Sequence, residues 1–250
     1  VIFWFFSHQE YQIADSVEPF LTALFAKVKS FSMGAEVGLK PEDPRPCHVI
    51  DMDEVRPMLQ KTLQMIIQRL AFPDWFQHGD PSYEDDEQHV AFMEFRKSLT
   101  KIFKRIFLID EDLGFMFIQA SMAQMTQNVA SVRPMEVEAV LHLYREIGET
   151  VKDLNPHLQA DGKLAGPFLQ LVACDGLVQA EHWLVQVGLL ETYLRFGKVL
   201  ALRPELFPTC GRRILRAFLG PQGVRSRDRR VVARACYLFA RFVKLAKEQL

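Results

Sequence analysis

Apolar side chains return every third or fourth residue along almost the whole chain, and no stretch alternates with period two for long. That spacing lines one face of a helix and excludes a sheet of half-buried strands. Met58, Leu59, Leu63, Ile66, Ile67 and Leu70 make one such face, and Phe92, Phe95, Leu99, Ile102, Phe103 and Ile106 a second. Val137, Val140, Leu141, Tyr144 and Ile147 make a third, and Val232, Ala235, Cys236, Phe239, Phe242 and Val243 a fourth. Breakers separate them. Gly34, Gly38, Pro41, Pro44 and Pro46 mark a long loop near 33–51, and Pro73, Gly79 and Pro81 a second near 72–86. Asp110-Glu-Asp112 places carboxylates where a helix dipole is positive, and Arg133-Pro134 opens a helix because Pro is tolerated in a first turn. Asn155-Pro156 and Gly162 to Pro167 read as a third loop; Arg203-Pro204 and Gly220-Pro-Gln-Gly223 punctuate the last pair. The count is about nine helices of roughly 12–25 residues.

The expected fold class is therefore all-α. Helices paired every ~40–47 residues suggest an α-solenoid of HEAT-type helix pairs, residues 1–250 forming one segment of it. Asp228-x-x-Val231-Val232-x-Arg234-Ala235, followed by Leu238 and Phe239, resembles the second helix of such a pair, with Asp capping the turn and Ala permitting close approach. A globular all-α bundle satisfies the same periodicity.

The chain has 250 residues, is 49% hydrophobic and 24% charged, and carries 30 Lys+Arg against 31 Asp+Glu. Those fractions exclude wholesale disorder. The near-neutral total conceals a dipole. Residues 1–125 carry a net charge of -7 and residues 126–250 of +6. From Arg203 to Leu250 the balance is +9, and ten of the twelve cations are Arg. Four scattered cysteines (Cys47, Cys174, Cys210, Cys236) form no C-x-x-C pair, which reads as a reduced chain without a disulfide framework. The apolar opening Val1–Phe6 is too short to cross a bilayer and lacks a signal-peptide shape. The chain opens on Val and closes inside an amphipathic run, so it reads as an internal section of a longer protein.

Catalytic chemistry is not encoded in any motif. The seven His show no H-E-x-x-H and no zinc spacing with Cys, Gly162-Lys-Leu-Ala-Gly166 is not a phosphate-cradling loop, and no G-x-S-x-G elbow occurs. His142 reads as a packed helix residue and Cys174 as a small core hydrophobe. The expectation is a non-enzyme without cofactor or metal. The acidic run Asp80, Glu84, Asp85, Asp86 and Glu87 reads as helix capping or a solvated loop, with a contact for a basic partner as the functional alternative.

The basic stretch is the candidate binding surface. Arg212, Arg213 and Arg216 share a helix; Arg225, Arg227, Arg229 and Arg230 crowd the next loop and helix start; Arg234, Arg241 and Lys244 follow along the last helix. Arginines at a helix start oppose its dipole, a local cost that favours a functional reading. Guanidinium suits phosphate through planar, bidentate donors. Salt bridges or a solvated face are the alternatives.

Three blocks resemble one family in its own order: Tyr83-Glu-Asp-Asp-Glu-Gln-His-Val-Ala-Phe-Met-Glu-Phe-Arg-Lys97, Met135-Glu-Val-Glu-Ala-Val-Leu-His-Leu-Tyr144, and Arg234-Ala-Cys-Tyr-Leu-Phe-Ala-Arg-Phe-Val-Lys244. They are similar to segments of the exportin-T family, the tRNA nuclear export receptors, over about residues 50–250. The resemblance implies a segment of a karyopherin-β superhelix. It implies a receptor that binds the tRNA backbone on a concave surface together with Ran-GTP, meets nuclear pore proteins, and shuttles between nucleus and cytoplasm without membrane insertion. GTP would enter only through Ran, which other parts of such a receptor largely contact. A helical-repeat scaffold or karyopherin for protein cargo is the alternative.

Overall fold

The computed structural model describes residues 2–6, 8, 10–32, 51–76 and 86–247. The first expected loop, apart from Asp51, lies outside these residues, as do positions 77–85 of the second. Fourteen α-helices and no strand occur among the described residues. They are α1 (Ile2–Phe6), α2 (Tyr11–Asp15), α3 (Glu18–Ser32), α4 (Met52–Leu70), α5 (Glu87–Ile109), α6 (Glu111–Gln127) and α7 (Pro134–Thr150), then α8 (Asn155–Leu158), α9 (Ala165–Ala173), α10 (Asp175–Val178), α11 (Trp183–Phe196), α12 (Val199–Leu202), α13 (Arg212–Leu219) and α14 (Arg229–Ala246). Nine have eight residues or more, but α9 and α13 have 9 and 8, below the expected range. The others are one-turn pieces, too short to establish a hydrophobic period. Internal contacts divide the chain into two compact units, Val1–Phe117 and Ile118–Leu250.

In the first unit α5 is the central helix, with α2, α3 and α4 packed on it. Its face Phe92, Phe95, Leu99, Ile102, Phe103 and Ile106 is buried as the sequence predicts, and Leu59, Leu63, Ile66 and Leu70 of α4 are buried with it. Arg96 is a buried cation with two jobs. Its Nη1 donates to the Leu70 carbonyl at 2.6 Å, closing the end of α4, and its guanidinium lies 3.9 Å from the Phe72 ring centre. Asp51 and Asp86 are N-caps. Asp51 accepts from the Asp53 amide at 2.9 Å, and Asp86 accepts from the Gln88 and His89 amides at 3.1 and 3.0 Å. The capping reading of the acidic run thus holds for Asp86; Asp80, Glu84 and Asp85 lie outside the described residues.

The second unit carries the helix-pair arrangement. Helix α7 packs on α11 and α11 on α14, while Phe218 of α13 sets its ring against Phe239 and Phe242 of α14, at 5.8 and 5.3 Å between centres. The predicted loop Gly162 to Pro167 is shorter than its breakers suggest: α9 already begins at Ala165, with Pro167 inside its first turn, where a missing amide costs nothing. Between α12 and α13 the chain makes a 3-10 turn (Pro204–Leu206) and a π-helical turn (Phe207–Gly211) that runs into α13. The buried stripe of α14 is Val231, Ala235, Leu238, Phe242 and Ala246, whereas Cys236 is exposed and Val232, Phe239 and Val243 are half-buried. The expected stripe was therefore misplaced around the helix. Two apolar stripes coexist on α14, and packing against α11 selects between them. Cys174, Cys210 and Cys236 are free thiols.

Candidate nucleic-acid interface

The turn between α13 and α14 is built by two glycines. A Cβ on Gly223 would run into the Phe218 carbonyl oxygen, so the chain can double back there only without a side chain. The Val224 amide donates to Phe218 O at 2.8 Å and the Arg225 amide to Gly220 O at 3.1 Å. This locks the turn and leaves Arg225 and Arg227 exposed on it, with Arg229 exposed at the first position of α14. Arg212 and Arg216 are exposed on α13, one helical turn apart, and Lys244 is exposed in the last turn of α14. None of these six forms an ion pair with a described residue.

The other four candidate cations are engaged. Arg213 closes the end of α9, its Nη1 donating to Ala173 O at 2.9 Å and meeting Asp175 Oδ1 at 3.0 Å. Asp228 caps α14 through the Arg230 amide at 2.9 Å, and the Arg230 side chain returns to it at 2.6 Å while lying 4.1 Å from the Trp183 ring centre. The expected cost of Arg at this helix start is therefore offset by its own cap. Hydrogen bonds from Arg230 hold the Asp228 carboxyl below the usual carboxylate range, and those bonds in turn raise Arg230. Burial, and then the Arg230 charge, push His182 down; its Nδ1 accepts from the Leu184 amide at 3.3 Å. Arg234 gives two hydrogen bonds to Glu191 Oε1 at 2.9 and 2.6 Å, and Arg241 donates to the Tyr237 hydroxyl at 3.3 Å.

The ten candidates thus do not form one patch. Arg225, Arg227 and Arg229 cluster on the turn, whereas Lys244 lies fifteen residues beyond Arg229, about 22 Å at 1.5 Å per residue.

Sequence reasoning missed Arg145, Glu149, Glu191 and Arg195. Arg145 on α7 reaches Glu191 Oε2 on α11 at 3.4 Å and donates to Gly188 O at 3.0 Å. Arg195 on α11 faces Glu149 on α7 at 3.6 Å. With Arg234, these make a ladder of charges across three stacked helices. Its signature is in the numbering: Arg145, Glu191 and Tyr237, and likewise Glu149, Arg195 and Arg241, follow one another at 46-residue steps. A comparison of polar positions 46 residues apart, where Arg145 meets Glu191 and Glu149 meets Arg195 with opposite charge, would have found them.

Helix pairs stacked with a constant register define a helical-repeat protein of the α-solenoid class. The chain belongs to the Exportin-T family, whose sequence profile matches residues 2–250. It is 24% identical over 203 residues to the human protein named Exportin-T, covering 79% of this chain and 20% of the relative. Against the Arabidopsis thaliana Exportin-T it is 26% identical over 180 residues, 68% of this chain and 18% of the relative. A Debaryomyces hansenii Exportin-T aligns with the whole chain at 25% identity, over 24% of its own length. The chain spans about a fifth of the length of the curated relatives it matches.

Proposed function

We propose that this chain is part of a nuclear export receptor for tRNA, and that its α13–α14 turn contacts the tRNA backbone. The observation that carries the reading is the exposed set Arg225, Arg227 and Arg229, without an ion pair among the described residues and presented on a turn that two glycines and two backbone hydrogen bonds hold in place. A carrier of many tRNAs has to read shape and phosphate, since A-form duplex hides its base edges in a deep groove. Arginines on a rigid scaffold do this without sequence preference. Arg212, Arg216 and Lys244 extend the positive field, and Arg213, Arg230 and Arg234 brace the helices that present it. Ran-GTP binds cooperatively with tRNA, mostly through other parts of the receptor. The receptor meets nuclear pore proteins and shuttles between nucleus and cytoplasm, acting as a carrier and not as an enzyme.

The test is charge reversal in the whole protein. The triple variant R225E/R227E/R229E should weaken tRNA binding by more than tenfold at low salt and flatten the log–log salt dependence, because each phosphate contact contributes a slope of about 0.7–0.9. Wild-type affinity and slope in that variant would remove the turn from the interface.

A further inference from the structure

Helices α7, α11 and α14 enclose an open groove of about 470 Å³, lined by Arg145, Glu149, Glu191, Arg195, Arg234 and Arg241 over leucine side chains. That volume lies within the ~300–1,000 Å³ typical of small-ligand sites. Four guanidinium groups face two carboxylates, and the four are not equivalent. Arg145 and Arg234 are fixed, one on each oxygen of Glu191. Arg195 is not. It makes no hydrogen bond among the described residues, and its Nε is shielded from solvent without an acceptor. Its one carboxylate among the described residues, Glu149, stands 3.6 Å away with its side chain 53% exposed. Arg241 has no carboxylate among the described residues: it donates to the neutral Tyr237 hydroxyl at 3.3 Å and lies 5.6 Å from that ring's centre. A ladder serving only to brace the repeats would match each guanidinium with a carboxylate. Here two cations are in excess, on neighbouring helices and along one 46-residue register.

We infer that this groove seats a phosphodiester of the RNA backbone, gripped by the terminal nitrogens of Arg195 and Arg241, while Arg145 and Arg234, immobilised by Glu191, supply a fixed positive field behind them. The inference rests on the tRNA reading above and adds a second contact to it. Each guanidinium has five N–H donors in a planar fork that matches phosphate oxygens, and on Arg195 and Arg241 those donors are largely unused. Glu149 is the group that a phosphate would displace.

The experiment is a tRNA titration of the whole protein, with Ran carrying a non-hydrolysable GTP analogue, between 50 and 200 mM salt. R195Q and R241Q should each weaken binding by about five- to tenfold, and the double variant should lower the log–log slope by about one phosphate's worth. E149Q should act in the opposite direction and tighten binding by about two- to threefold, since it removes the competing carboxylate. Because Glu149 is exposed and accepts no hydrogen bond from Arg195, that variant keeps the test independent of any folding defect in the arginine variants. If both arginine variants and E149Q bind like wild type while R225E/R227E/R229E fails, the groove does not hold RNA and the turn still does. If wild type shows no tRNA binding, the functional reading fails and the groove proposal falls with it.

Discussion

Arg230 is held between the Asp228 carboxylate and the Trp183 ring, so the start of α14 is pinned to the start of α11 by one side chain. Removing the cap with Asp228→Ala should cost about 1 kcal/mol, the usual worth of an N-cap, measured by urea unfolding at neutral pH. Asp228→Asn should cost less, because Asn caps nearly as well. The two variants should share one behaviour. The Asp228 and Asp86 carboxyls lie below their ordinary values, through hydrogen bonds from Arg230 and His89 respectively. A depressed carboxylate stabilises the fold above its unfolded value of about 3.9 and loses that contribution as pH falls through the folded value. Stability should therefore drop below about pH 4 in the wild type and drop less steeply in either Asp228 variant. An unchanged acid limb in Asp228→Asn would show that the pair does not couple to folding. The capping role of Asp228 is legible from its place before an apolar helix. The engagement of Arg230 is not, because its ring partner lies 47 positions away in the chain.

Helix α7 approaches α11 closely because Gly148 has no side chain. A Cβ there would lie 2.8 Å from Phe196 Cζ, and Phe196 cannot retreat, since its ring stacks on Tyr144 at 4.2 Å between centres. Tyr144 is itself fixed by the hydrogen bond its buried hydroxyl donates to Leu164 O at 2.7 Å. Gly148→Ala should therefore destabilise by about 1–3 kcal/mol, the range for overpacked cores. Gly166, on α9, has nothing within 4 Å of a Cβ. Gly166→Ala should instead be neutral or stabilising by up to about 1 kcal/mol, since Ala loses less backbone entropy on entering a helix. Thermal melts of the two variants should shift in opposite directions; a common sign would contradict the packing described here. At this scale the sequence reads well where one apolar face dominates. The faces of α5 and α7 are buried at every position expected. On α14 it reads poorly, because the choice between two apolar stripes is made by α11, a long-range partner that local spacing does not encode.

Across the whole chain, charge is segregated, net -7 in the first 125 residues and +6 in the last 125. This asymmetry was plain in the sequence and points to a polyanion at the C-terminal end. The division of labour among the basic residues was not. Arg213, Arg230 and Arg234 look like Arg225, Arg227 and Arg229 in a linear count, yet carboxylates of the same half hold the first three in place. The 46-residue register that carries the charge ladder is visible in the numbering only when polar positions of opposite charge, such as Arg145 and Glu191 or Glu149 and Arg195, are compared at that interval. In the proposed function these arginines serve a tRNA carrier coupled to Ran. The most direct measurement is a tRNA titration of the whole protein with and without Ran loaded with a non-hydrolysable GTP analogue. Binding that is strong only when Ran-GTP is present, and that weakens steeply with salt, is the result expected of a cooperative export receptor. No tRNA binding in either state would contradict it and would assign the exposed arginines to an acidic protein partner.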